Sequence, residues 1–94
     1  MLFTWNNSKN DKLIKERGFG FDDIEDAIRS GGLISIQKHE NQKQYSHQII
    51  LIVKVKHYIH KVPCIMLQKD PKVIHMITAF KDRKLNKKHQ EGDL

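Results

Sequence analysis

The sequence predicts an α+β fold in which two short N-terminal helices pack on a small antiparallel sheet and a basic segment follows at the C-terminus. Three observations lead there. Two stretches in the first third have helix starts and glycine stops, the later stretches alternate with a period of two, and five of the eight residues from Lys81 to Lys88 are Lys or Arg. Ninety-four residues fit one domain, 1–94, with a thin core, since a chain this short buries only about 60% or somewhat more of its unfolded surface.

The elements follow in order. Met1 to Trp5 alternates as a short first strand. Ser8 with Asp11 three residues on starts a helix over 9–17, Leu13 and Ile14 give it a narrow apolar face, and Gly18 closes it. Asp22 reads as the N-cap of a second helix over 23–30, with Glu25 three residues later. Ile24, Ala27 and Ile28 form its buried stripe, and Gly31-Gly32 ends it.

Leu33 to Gln37 fits a strand, and 39–44 is a polar connection. In the strand from Gln48 to Lys56, Ile49, Leu51, Val53 and Val55 line one face, with Ile50, Ile52, Lys54 and Lys56 on the other. Ile59 to Leu67 is a further strand in which Pro63 calls for an edge or bulge, because proline cannot donate to a ladder. Asp70-Pro71 makes a turn before the last strand, Val73 to Ala79. Short links make these three strands a meander. Residues 81–94 form a basic tail, helical or flexible, with Leu85 the one large aliphatic before Gln90.

Seventeen Lys and Arg against eleven Asp and Glu give a net charge of +6, which favours a polyanionic partner. Asp22, Asp23, Glu25 and Asp26 concentrate acid in the second helix, so the positive surface belongs to the sheet and tail. The lone Cys64 rules out an intrachain disulfide and reads as a small buried hydrophobe. The start MLFTWNNSKN lacks a signal-peptide core and the longest apolar run, Ile49 to Val53, is strand-sized, so the expectation is a cytoplasmic protein with no membrane partner.

Six histidines raise the question of a metal, but none stands in an HExxH motif, Cys64 has no partner cysteine, and His57 and His60 fall on opposite strand faces. Phosphate-loop and dinucleotide glycine patterns are absent. No metal and no cofactor is expected. What remains is a cationic surface: Lys54 and Lys56 on one strand face, then Lys81, Arg83 and Lys84 after the last strand, which carries His75. Cations can hold phosphate oxygens and stabilise charge on a scissile phosphate, and a histidine can move the proton of an attacking 2′-hydroxyl. His75, Lys81 and Arg83 are therefore the catalytic candidates for metal-independent RNA cleavage. Lys54, Lys56, Lys81, Arg83 and Lys84 are candidates for RNA binding. A protein that binds nucleic acid or a partner without catalysis fits the same residues, and an exposed strand edge allows a homodimer.

Residues 3–27, FTWNNSKNDKLIKERGFGFDDIEDA, resemble the opening F-x-W-D-x-x-K-x-x-x-N-x-x-K-H-G-V-S-F-E-E-A of the BrnT family of bacterial toxins, in the RelE/ParE-like superfamily. The final strand and basic tail are similar in pattern. The resemblance implies helices packed on an antiparallel sheet, a metal-independent endoribonuclease, and neutralisation by a cognate antitoxin. It also adds Arg17 to the phosphate-binding candidates. Two departures stand out. Glu16-Arg17 replaces the family's Lys-His before the first glycine, and Thr78-Ala79-Phe80-Lys81 replaces its Ser-Ala-Arg-Lys, so that Phe80 occupies the place of an arginine unless a shift lets Arg83-Lys84 serve instead.

Overall fold

The structure, a computed structural model, describes residues 1–92. The last two residues of the expected tail lie outside them. The chain runs β1 (Leu2–Thr4), α1 (Asn7–Arg17), α2 (Phe21–Ala27), a wide π-type turn (Ile28–Gly32), β2 (Leu33–Lys38), β3 (Gln48–Val55), β4 (Tyr58–Lys69), β5 (Lys72–Met76), β6 (Phe80–Lys81) and α3 (Arg83–Gln90). It is an α+β domain whose sheet has the order β1-β5-β4-β3-β2, with β6 also paired to β4.

The expectation of a purely antiparallel sheet is corrected at one edge, where β1 pairs parallel with β5. Short links force β3, β4 and β5 to alternate in direction. β1 reaches the sheet through both helices, a connection long enough to leave its direction free. The last strand also differs, ending at Met76 and resuming as β6. Pro63 lies beside that interruption: its carbonyl accepts the Ile77 N–H at 2.9 Å, so its donor-less nitrogen faces the side where the ladder is broken. An interior strand thus tolerates proline by having a local edge.

α1 starts earlier than Ser8 suggests. Asn6 is the cap, its side chain accepting the Lys9 N–H at 2.9 Å, and Gly18 closes the helix at φ 77°. Of the expected apolar pair only Leu13 is buried; Ile14 is exposed. Polar tethers supply the rest of its attachment. Asn10 Oδ1 accepts the Phe21 N–H at 2.6 Å, and Arg17 Nη1 donates to the Ala79 carbonyl at 2.6 Å.

The cap of α2 is Gly20 rather than Asp22, with the Asp23 carboxylate accepting the Gly20 N–H at 2.8 Å. Steric crowding explains the glycine: a Cβ there would stand 2.6 Å from Asn10 Oδ1. The earlier start brings Phe21 into the helix, where it is fully buried and stacks on Trp5 at 5.9 Å. Leu13, Phe21 and Ile24 cover Leu51, Val53, Val55, Val62, Cys64, Ile74 and Met76 on one sheet face. The expected buried face of β3 packs under these helices, and on the other face Ile52 is fully buried as well. Truncating Phe21 to Ala at such a site costs about 3–5 kcal/mol. Burial also pushes the Cys64 thiol up to about 12, as suits a core side chain with little thiolate.

The basic tail is helical. Asp82 caps α3 by accepting the Leu85 N–H at 2.9 Å, and Asn86 Oδ1 accepts the Ile59 N–H at 3.0 Å, which docks the helix on the start of β4. No helix is long and apolar enough to cross a membrane among the described residues.

Candidate functional site: a cationic pocket at the hairpin end

β3 and β4 are joined by two residues, Lys56 and His57, both at positive φ (49° and 71°). This is the geometry of a type I′ hairpin turn, which ordinarily selects Asn-Gly. Left-handed non-glycine residues cost on the order of 1 kcal/mol or more each. Placing the turn at 56–57 removes Lys56 from the strand and from the face it was expected to share with Lys54. Lys54 remains exposed opposite Ile59. Lys56 instead reaches the helix-covered side of the sheet.

There a pocket of about 110 Å³ is lined by Arg17, Gly18, Phe19, Val55, Lys56, Tyr58, His60 and Lys81. Its three cations come from three places: the last residue of α1, the β3–β4 turn, and β6. Each is held by a specific contact or by backbone geometry. Arg17 is anchored by the Ala79 carbonyl, which uses one of its five donors and leaves the others free for an anion. Lys81 Nζ lies 5.4 Å from the centre of the Tyr58 ring, a cation–π distance. Lys81 pairs with His60 across β6 and β4, so both project to one face.

His60 is 2% exposed and packs edge-on against Phe19 at 4.8 Å. Its Nδ1 lies 2.9 Å from the Tyr58 carbonyl. A carbonyl only accepts, so in the neutral ring Nδ1 carries the proton and Nε2 the lone pair. Burial pushes the His60 pKa below its usual 6.5; the Tyr58 carbonyl pulls the other way, and the Lys81 charge adds to the downward push. The pocket thus combines a neutral imidazole with three cations. Acid borders it on one side, where Asp23 and Asp26 share a neighbouring hollow with Lys56.

The other candidates lie elsewhere. His75 sits opposite Ile65 on β4, five positions from His60, about 17 Å along the strand. An odd separation also puts it on the opposite sheet face. Its Nδ1 is 2.9 Å from Thr4 Oγ1. Arg83 and Lys84 are exposed in the first turn of α3, outside the pocket walls. The structure therefore brings together Arg17, Lys56 and Lys81, and separates them from His75, Lys54, Arg83 and Lys84. His60 was missed by sequence reasoning. The available signal was the stripe Tyr58, His60, Val62, Cys64, in which one histidine interrupts a set facing the core.

Among the described residues no three His, Cys, Asp or Glu side chains come together in a metal-holding group. Compared with protein-family models, with curated proteins and with solved structures, the chain finds no match in any of the three.

Proposed function

We propose that this pocket binds RNA through a backbone phosphate and cleaves it without a metal ion, so that the chain acts as a toxin-like cytoplasmic endoribonuclease held in check by a cognate antitoxin protein. The observation that carries the reading is the convergence of Arg17, Lys56 and Lys81 on a hollow that also holds neutral His60. The resemblance of residues 3–27 to the BrnT opening adds support from the sequence. At about 30 Å³ per water the hollow takes the volume of three or four waters, which suits a phosphate group.

In this reading His60 Nε2 takes the proton of the 2′-hydroxyl as its oxygen attacks phosphorus. Arg17 and Lys81 stabilise the charge that builds on the non-bridging oxygens. The bond to the 5′-oxygen breaks, water supplies that oxygen's proton, and a 2′,3′-cyclic phosphate is left. Arg83, Lys84, Lys87 and Lys88 on α3, outside the pocket, offer further cations to a longer strand of RNA. Arg83 and Lys84 stand at the helix N-terminus, where the helix dipole disfavours cations, so helix stability does not account for them. An antitoxin would neutralise the protein by covering the same cations with acidic side chains.

A second reading has its own observation. At 2% exposure His60 is as buried as a core residue, which favours a protein that binds RNA phosphates without turning the strand over.

One assay separates the two: defined single-stranded RNA incubated with chelator and wild type, His60→Gln, or the Arg17→Ala/Lys81→Ala pair, each checked for folding by circular dichroism. Cleavage by wild type that both variants lose supports the nuclease. Salt-sensitive binding without cleavage selects the second reading, and neither binding nor cleavage removes both.

A further inference from the structure

The pocket opens beside a second, wider hollow of about 350 Å³ lined by Arg17, Phe19, Phe80 and Lys81. Arg17, Phe19 and Lys81 belong to both. Phe80 is peculiar in this fold. It lies on the two-residue β6, takes no part in the core cluster, and is 36% exposed, the only aromatic residue among the large hydrophobics left exposed in the described chain. Arg17 Nη1 donates to the carbonyl of Ala79, one residue before Phe80, and Arg17 and Phe80 both line the hollow.

We propose that this hollow is a nucleobase subsite, with Phe80 as the stacking platform and Arg17 bridging base and phosphate. The inference rests on the phosphate-binding reading of the neighbouring pocket and names the ligand class more narrowly: single-stranded RNA with an unstacked base. A base is tethered to its phosphate, so an apolar, ring-lined hollow that shares two cations with a phosphate-sized one matches the two halves of a nucleotide. Stacking on an aromatic ring serves every base, because each has a π-face, and Arg can add a cation–π contact. Duplex RNA keeps its bases stacked inside the helix and cannot use the site. The aromatic that replaces an arginine in the resembled pattern thereby has a role of its own.

The test uses full-length protein and a fluorescent 2′-O-methyl RNA strand, which carries bases and phosphates but cannot be cut at the 2′-oxygen, beside an abasic strand of equal length. Loss of base stacking worth ~1–3 kcal/mol corresponds to roughly 5- to 150-fold in affinity. Phe80→Ala and Phe80→Leu should weaken the base-bearing strand by that factor and leave the abasic strand unchanged, while Phe80→Trp should restore binding. Phe80→Leu keeps an apolar side chain, so a loss shared by both variants with unchanged thermal melting is not a folding defect. Equal wild-type affinity for the two strands, or equal weakening of both in the variants, would overturn the subsite while the phosphate reading stands. No binding to either strand would remove the phosphate reading and the subsite with it.

Discussion

His60 and His75 lie on adjacent strands of one sheet, yet their surroundings differ in every respect that matters for chemistry. His60 is buried at the hairpin end of β4, in a wall shared with Arg17, Lys56 and Lys81, with one nitrogen committed to a carbonyl. His75 is half-buried on the opposite face, against a threonine hydroxyl. A histidine becomes a candidate base through what desolvates it and what charges converge on it. Nearness in sequence to basic residues is a poor guide. His75 is six positions from Lys81 and points away from it, whereas His60 is twenty-one positions away and is its direct cross-strand partner.

The strongest effect should come from testing that contrast directly. His60→Gln should lower RNA cleavage by about 10²–10⁴-fold, the usual range for a general base, while His75→Gln stays near wild type; the reverse result in a gel cleavage assay would exchange the two residues' roles. Next in size is the binding surface. Replacing Arg17 and Lys81 by Ala should reduce the slope of log affinity against log salt by about 0.7 for each phosphate no longer neutralised, whereas Lys69→Ala with Lys72→Ala, at the far end of β4, should not. Fluorescence anisotropy across a salt series reads both pairs.

A smaller effect is in stability against pH. Because the folded-state pKa of His60 lies below 6.5, the unfolded chain takes up its proton first as pH falls. The folded state should therefore lose stability from about pH 6.5 downward until the folded pKa is passed, and gain nothing further above it. Urea unfolding at several pH values should show this decline flattened in His60→Gln, and an unchanged decline would mean that other groups produce it. Smallest is the turn. Lys56→Asn with His57→Gly should stabilise the fold by about 1 kcal/mol by putting residues that tolerate positive φ at both turn positions, while lowering RNA affinity by removing the Lys56 cation. Greater stability with unchanged affinity would take Lys56 out of the site.

Much of the architecture was legible in local pattern. The alternation of Ile49, Leu51, Val53 and Val55 identified the packed face of β3, and Gly18 marked the end of α1. Cap positions were less legible, because Asn6, Ser8, Gly20 and Asp22 are all plausible caps by chemistry. The choice at α2 depended on Asn10 reaching across to the Phe21 N–H, a contact between two helices. Half of the pocket was legible as well: Arg17, Lys56 and Lys81 were marked by charge or by resemblance. His60 and the hollow beside Phe80 were not, since neither is defined by its own segment.

Element types, the buried face of the central strand and the excess of positive charge follow from the chain alone, because periodicity, glycine placement and composition are local or additive properties. The parallel edge, the strained turn that directs Lys56 away from Lys54, and the meeting of α1, the turn and β6 around one imidazole needed the folded molecule. Those depend on contacts between residues far apart in the chain. Arg17 and Ala79 are 62 positions apart. Such contacts also set the desolvation that keeps His60 neutral, a property of the assembled surroundings that no residue carries alone.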